Sequence, residues 1–280
     1  MVAVYRRYLA LDPSVTEHYS SLLLAPEESE RRRPLEAAKL YLALARKAAR
    51  GEYTSPEGKS PYQLLGDWLD IVEKNAEEVG LDIEETEASN AALKDKADPL
   101  NGNPFPNGPA SPPYDEDEDP SSSRKLNIEY IVRKDGLNVY KDQAGRLWTG
   151  LATYWTKRAE FDRAKATFET GMVDVLTIRD FTQIFDAYAE FGESIISAYM
   201  ESLANPDEED DEEETERELD VKMKEFEELM DRRPFLVNDV LLRRNPNDVQ
   251  EWEKRVAMWG DDDEKVRPGS PVPRSWTDHP

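Results

Sequence analysis

Apolar residues recur along this chain at helical spacing, and the same arrangement comes back. Leu147-Trp148-x-x-Leu151-Ala152-x-Tyr154 is echoed 37 residues later by Ile184-Phe185-x-x-Tyr188-Ala189-x-Phe191. Each copy puts an aromatic, further apolar residues and a small alanine on one face, because positions three, four and seven apart overlie one another at about 3.6 residues per turn. Leu64-Leu65-x-x-Trp68-Leu69-x-Ile71 fits the template upstream, and Trp252-x-x-Arg255-Val256-x-Met258 fits most of it downstream. His18-Tyr19-x-x-Leu22-Leu23 reads as a degenerate further copy. A second helix follows the first. It is clearest at Phe161-Asp162-Arg163-Ala164-Lys165-x-x-Phe168-Glu169, where Ala164 at the crossing lets two helices approach and Phe161 and Phe168 fill the groove around it. Leu35-Glu36-Ala37-Ala38-x-x-x-Leu42 repeats that pattern with Ala38 in the place of Ala164.

An aromatic helix followed by a small-residue helix, returning at this period, predicts an all-α chain: an α-solenoid of stacked helical hairpins. One hairpin cannot bury its apolar face alone, so neighbours must stack. The residues predicted to pack the repeats are Trp68, Trp148, Tyr154, Phe161, Ala164, Phe168, Phe185, Tyr188 and Trp252. The spacing is not uniform. Seven prolines between Pro99 and Pro120, with Asn, Gly and Ser among them, predict a disordered Pro/Asp-rich insertion over 86–125. The acidic run Asp207 to Glu214 predicts a second, shorter loop. The expected organisation is therefore repeat helices over 1–85, the insertion over 86–125, helices over 126–204, an acidic loop over 205–217, helices over 218–264 and an irregular tail over 265–280.

Composition narrows the class without adding chemistry. A charged fraction of 34% and a mean hydropathy of -0.78 mean that much of the 280-residue chain is surface or loop. No stretch approaches the ~18 apolar residues of a membrane span, and Met1-Val2-Ala3-Val4-Tyr5-Arg6 does not read as a signal peptide. Cysteine is absent, which excludes disulfides and thiol chemistry and is compatible with a reducing compartment. The net charge of -24 overstates the acidity of the helices, since thirteen of the 60 acidic residues sit in the runs Asp115 to Asp119 and Asp207 to Glu214. Both runs read first as solvated spacers and second as bait for a basic partner; the run at Asp207 lacks the glycine and spacing of a calcium loop.

Catalytic groups are not found. The histidines are His18, inside a helical pattern, and His279, the penultimate residue, so neither a nucleophile dyad nor a zinc site can be assembled from the usual ligands. Gly58-Lys59-Ser60 lacks the upstream glycine of a phosphate loop, and acid pairs such as those around Phe226 read as the wet face of a helix. No catalytic, cofactor or metal residue is expected. Arg31-Arg32-Arg33, Arg232-Arg233 and Arg243-Arg244 are short basic clusters, and no polar reader recurs at one helix position, so direct RNA contact is at most a minor role.

These residues carry a resemblance. Leu147-Trp148, Tyr154, Phe161 through Lys165 and Phe168-Glu169 resemble the half-a-TPR, or HAT, repeat of RNA-processing scaffolds. Thr177-Ile178-Arg179-Asp180-Phe181-Thr182-Gln183-Ile184-Phe185-Asp186 and Arg232-Arg233-Pro234-x-Leu236-Val237-Asn238-Asp239-Val240-Leu241-Leu242-Arg243-Arg244-Asn245-Pro246 are similar to the Syf-type pre-mRNA splicing factors, called XPA-binding protein in animals. The stretch Asn101 to Tyr114 looks like a filamentous-fungal insertion in that family. The likeness implies a non-catalytic nuclear scaffold of the spliceosome, associated with the Prp-nineteen complex. It implies other HAT-repeat factors, an aquarius-type helicase and Isy-type proteins as partners, with no membrane and no cofactor. A TPR-like adaptor outside RNA processing and an RNA-reading helical repeat are the alternatives.

The chain departs from the family pattern at three places. Lys165 stands where arginine is usual, and Thr170-Gly171 replaces arginine-alanine, which predicts an end or bend there, since a helical glycine costs about 1 kcal/mol relative to alanine. Tyr5-Arg6-Arg7-Tyr8-Leu9 looks like a second helix without its first, and the likeness stops after Val266 at Arg267-Pro268-Gly269. The expectation is a piece of a longer array that leaves Val4, Tyr5, Tyr8 and Leu9 at one end and Trp252, Val256 and Met258 at the other without covering helices.

Overall fold

The computed structural model describes residues 15–24, 32–95, 123–204 and 212–259. Among these every regular element is helical; one isolated parallel bridge joins Gly80 to Leu126. The chain forms two compact units, Met1–Gly171 and Met172–Pro280. The tyrosines and leucine expected at the start of the chain, the prolines of the insertion and the tail after Trp259 lie outside the described residues.

The first unit opens with α1 (Thr16–Leu24) and α2 (Pro34–Ala49), which pack on one another through Tyr19, Leu23 and Ala37. Pro34 opens α2, where a missing amide hydrogen leaves nothing unsatisfied. Next comes α3 (Pro61–Lys74), fixed at its start by a reciprocal cap: Ser60 Oγ accepts from the Gln63 amide at 3.2 Å and Gln63 Oε1 accepts from the Ser60 amide at 2.8 Å. Then follow α4 (Ala76–Val79), α5 (Ile83–Asp95) and α6 (Ile128–Ile131), the last running on as a π-helical turn over Val132–Leu137. The unit closes with α7 (Gly145–Lys157) and most of α8 (Phe161–Asp174). The Tyr62 hydroxyl donates to the Gln143 carbonyl at 2.8 Å, and Leu69 lies against Gly150. Both pairs keep the same offset along the chain, so α3 and α7 run parallel with the two copies of the apolar template side by side.

The helix α7 ends in a double turn. The Glu160 amide donates to the Trp155 carbonyl and the Ala159 amide to the Thr156 carbonyl, each at 3.0 Å, with Ala159 at φ 58° where glycine is the usual occupant.

Segment and helix ends differ from the sequence expectation at several places. Residues 86–95, expected in the insertion, are helical and complete α5 (Ile83–Asp95). Polar side chains that read as loop formers are used here as tethers: Asn127 Nδ2 donates to Asn90 Oδ1 at 2.9 Å and to Ser89 Oγ at 3.2 Å, and Asn90 Nδ2 donates to Glu129 Oε2 at 3.0 Å. The helix does not end at Gly171, since α8 continues to Asp174. Glycine is there because a Cβ would stand 2.9 Å from Cγ of the Trp148 ring.

The second unit is a long hairpin, α9 (Ile178–Ala204) and α10 (Glu212–Arg244), followed by α11 (Val249–Trp259). The helix α10 begins inside the expected acidic loop of 205–217, because carboxylates such as Glu213 and Glu214 are favoured in a first helical turn, near its positive dipole end. Arg233 reaches Asp186 and Phe185, Phe226 packs on Gly192, and Glu218 accepts from the Tyr199 hydroxyl, which together fix α9 and α10 as antiparallel. Pro234 sits within α10.

Candidate functional site

The apolar template is the centre of each unit. Trp68, Leu69, Trp148, Leu151, Ala152 and Tyr154 in the first unit are buried, as are Ile184, Phe185, Tyr188 and Phe191 in the second. Ala164 and Phe168 on α8 are also buried. The indole N–H groups of Trp68 and Trp148 are both enclosed without an acceptor among the described residues, so these rings act as volume and not as polar anchors. Two residues expected among them are placed differently. Phe161 is 49% exposed: it is the first residue of α8, one turn short of the crossing at Ala164. Trp252 is 38% exposed, and its Nε1 donates to the Pro246 carbonyl at 2.8 Å, which lays the ring over the turn before its own helix instead of in a groove.

Around this apolar centre, arginines of one hairpin reach carboxylates and carbonyls of another. Arg146 on α7 donates to Glu73 Oε1 at 2.6 Å and also to Asp70, both on α3. Burial pushes the Glu73 carboxyl up, against the pull of Arg146. Arg46 on α2 pairs with Asp135 in the π-helical turn at 2.7 Å. Arg158 donates to the Tyr154 hydroxyl at 2.7 Å and to the Leu81 carbonyl; Arg163 pairs with Glu87 and covers the Trp155 ring at 5.0 Å. Planar guanidinium groups suit this double use, with a fork for oxygens and a face for rings. None of these arginines stands in the apolar template. Their signal in the sequence is position: Arg146 flanks the Leu147-Trp148 pair, and Arg163 precedes Ala164.

In the second unit, Asn238 fastens α11 to α10. Its side-chain amide donates to the Glu251 carbonyl and to Glu251 Oε2, both at 3.0 Å, while Arg255 pairs with Asp239. Arg243 donates to the carbonyls of Met172 and Val173 at the end of α8, and burial pushes its guanidinium down. A lone asparagine in the apolar run Leu236-Val237-Asn238-x-Val240 was the available hint.

This arrangement interlocks helices and displays their outer faces. Among the described residues no group of three or more His, Cys, Asp or Glu could hold a metal ion, and no helix is long and apolar enough to cross a membrane. His18 lies exposed on α1.

A family model described as pre-mRNA-splicing factor SYF1 middle HAT repeat matches residues 115–268. The pre-mRNA-splicing factor SYF1 of Mycosarcoma maydis is 47% identical, covering 94% of this chain and 29% of that protein. The syf1 protein of Neurospora crassa is 37% identical over 95% of this chain and 26% of its own length, and the SYF1 protein of Homo sapiens 34% identical over 91% and 23%. The chain thus spans less than a third of the length of these curated relatives.

Proposed function

The chain belongs to the SYF1 family of pre-mRNA-splicing factors, matched in their middle HAT repeats, and from that premise we propose that it acts in pre-mRNA splicing as a non-catalytic protein scaffold. The observation that carries the reading is the parallel, side-by-side stacking of α3 and α7, each presenting the same apolar template inward and leaving its polar face outward. Stacked hairpins of this kind create extended surfaces whose use is to hold other proteins. The proposed setting is the nucleus, within the Prp-nineteen-associated assembly. The proposed partners are other HAT-repeat factors, an aquarius-type helicase and an Isy-type protein. Affinity purification of the tagged chain followed by mass spectrometry tests this. Spliceosomal proteins are the expected result; clients unrelated to splicing, or RNA that stays bound at high salt, would replace it with a general adaptor or an RNA reader.

A further inference from the structure

The α9–α10 hairpin is much longer than its companions, with 27 and 33 residues against 11 in α11. The contacts that fasten α11 fall beyond Pro234, at Phe235, Asn238 and Asp239. From Gly192 and Phe226 outward the two helices run on together with their outer faces in solvent.

Helical periodicity and the antiparallel register sort the side chains of this distal part. In an antiparallel pair, residues rotated by the same amount from the facing stripe fall on one flank of both helices. On one flank that rule gathers Ile196, Met200 and Leu203 of α9 with Leu219 and Met223 of α10. All are partly open to solvent, Met200 at 49% and Met223 at 40%. The charged residues bordering the same flank are Glu193, Glu216, Asp220 and Glu227, all exposed. Among the described residues none of these four carboxylates has an ion-pair partner. The three cations of the distal part point elsewhere: Arg217 pairs with Glu213, Lys222 with Glu225 at the helix contact, and the exposed Lys224, two residues from both Lys222 and Phe226, falls by helical periodicity on the side of α10 away from α9.

We propose that this flank is a docking groove for a basic amphipathic helix of a partner protein. Its apolar floor takes the helix's apolar stripe, its two methionines adapt to the side chains they meet, and its carboxylate borders pair with lysine or arginine on either side of that stripe. A second copy of this chain is a poor occupant, because it would bring the same four carboxylates against themselves. The groove deepens the scaffold reading by naming the chemistry of one partner. Its test uses the purified chain alone, so its failure leaves the affinity-purification result standing.

The experiment is a fluorescence-anisotropy titration of the 280-residue chain with a labelled synthetic helix carrying leucine at i, i+3, i+4 and i+7 and lysine elsewhere. A peptide of the same composition with the leucine stripe scrambled is titrated in parallel. The patterned peptide should bind at least about tenfold more tightly than the scrambled one. Met200→Ser with Met223→Ser should remove most of that advantage. Glu216→Gln with Asp220→Asn and Glu227→Gln should weaken binding and flatten its dependence on salt. Circular dichroism unchanged from wild type shows that each variant keeps its helices. Equal binding of the two peptides, or patterned binding indifferent to both variants, overturns the groove. So does self-association of the chain that the methionine substitutions abolish, which would make a second copy the occupant.

Discussion

The α7–α8 and α9–α10 hairpins start from the same apolar template and end differently. Leu147, Trp148, Leu151, Ala152 and Tyr154 are buried, and so are their counterparts Ile184, Phe185, Tyr188 and Phe191. The first pair of helices stops at 13 and 14 residues; the second runs to 27 and 33. The template decides which face is buried, whereas the stop signal decides how far the hairpin continues past its buried part. Lys157-Arg158-Ala159-Glu160 closes α7 through the paired amide bonds described above. After Phe191 no such signal occurs until Asn205-Pro206, so α9 continues into solvent.

The largest difference between the hairpins should appear on truncating one side chain in each. Trp148→Ala removes a ring that is 2% exposed and should cost about 3–5 kcal/mol, spreading to α3 and α8 through the shared contact. Met223→Ala, on the exposed flank of α10, should change stability by no more than about 0.5 kcal/mol. Urea unfolding followed by circular dichroism measures both, and equal costs would erase the distinction.

Glycine to alanine separates the hairpins next. At Gly171 the added Cβ would meet three Trp148 atoms at 2.9 to 3.1 Å, in the enclosed core, and the overpacking of about 1–3 kcal/mol exceeds the ~1 kcal/mol gained in helix propensity. At Gly192 it would meet the edge of the half-buried Phe226 ring at 3.0 Å, which can turn away. Gly171→Ala should therefore lower the thermal midpoint and Gly192→Ala should raise it. Shifts of the same sign would show that the two rings are equally confined.

High pH should act on the first unit. Burial pushes the phenols of Tyr41, Tyr130, Tyr140 and Tyr154 above their usual 10, and Tyr53 is raised by burial and by its hydrogen bond to Glu17. An acid whose folded pKa is raised stabilises the fold fully below the unfolded value. That contribution is lost as the pH climbs from about 10 through the folded value. Tyr199 of the second unit is raised mainly by its bond to Glu218, at the surface. Tyrosinate absorbance of the first unit should thus appear together with loss of helicity; absorbance rising near pH 10 with helicity intact would mean that these phenols are open to solvent.

What was legible in the sequence is the part governed by apolar periodicity. Trp68, Trp148, Ala164, Phe168, Phe185 and Tyr188 are buried because each belongs to a stripe whose period the helix imposes. What was not legible is the part decided by partners distant along the chain. Ser89 and Asn90 read as loop formers until Asn127 and Glu129 are seen to hold them. Trp252 fits the template but turns to the Pro246 carbonyl, an acceptor that periodicity does not weigh. Helix length escaped for a related reason: a run of glutamates reads as a loop, yet at the start of α10 the same charges favour the helix.

The smallest effect concerns the stop signal itself. Ala159 holds φ 58°, a conformation in which its Cβ crowds the following carbonyl at a cost of about 1–2 kcal/mol. Glycine would remove that crowding while giving the unfolded chain more freedom, worth about 0.4–1 kcal/mol in the other direction. Ala159→Gly should therefore raise stability by roughly 0.8 kcal/mol, the difference between the midpoints of those two ranges. If the turn is what keeps α7 short, proline offers the converse. Ala159→Pro cannot take a positive φ, and it removes the amide that donates to Thr156. It should destabilise the α7–α8 hairpin while leaving exchange protection at the base of the α9–α10 hairpin unchanged. Hydrogen exchange resolved by segment checks both variants. A stabilising proline would mean that the end of α7 is fixed by packing of Trp155 and Phe168 and not by the turn between them.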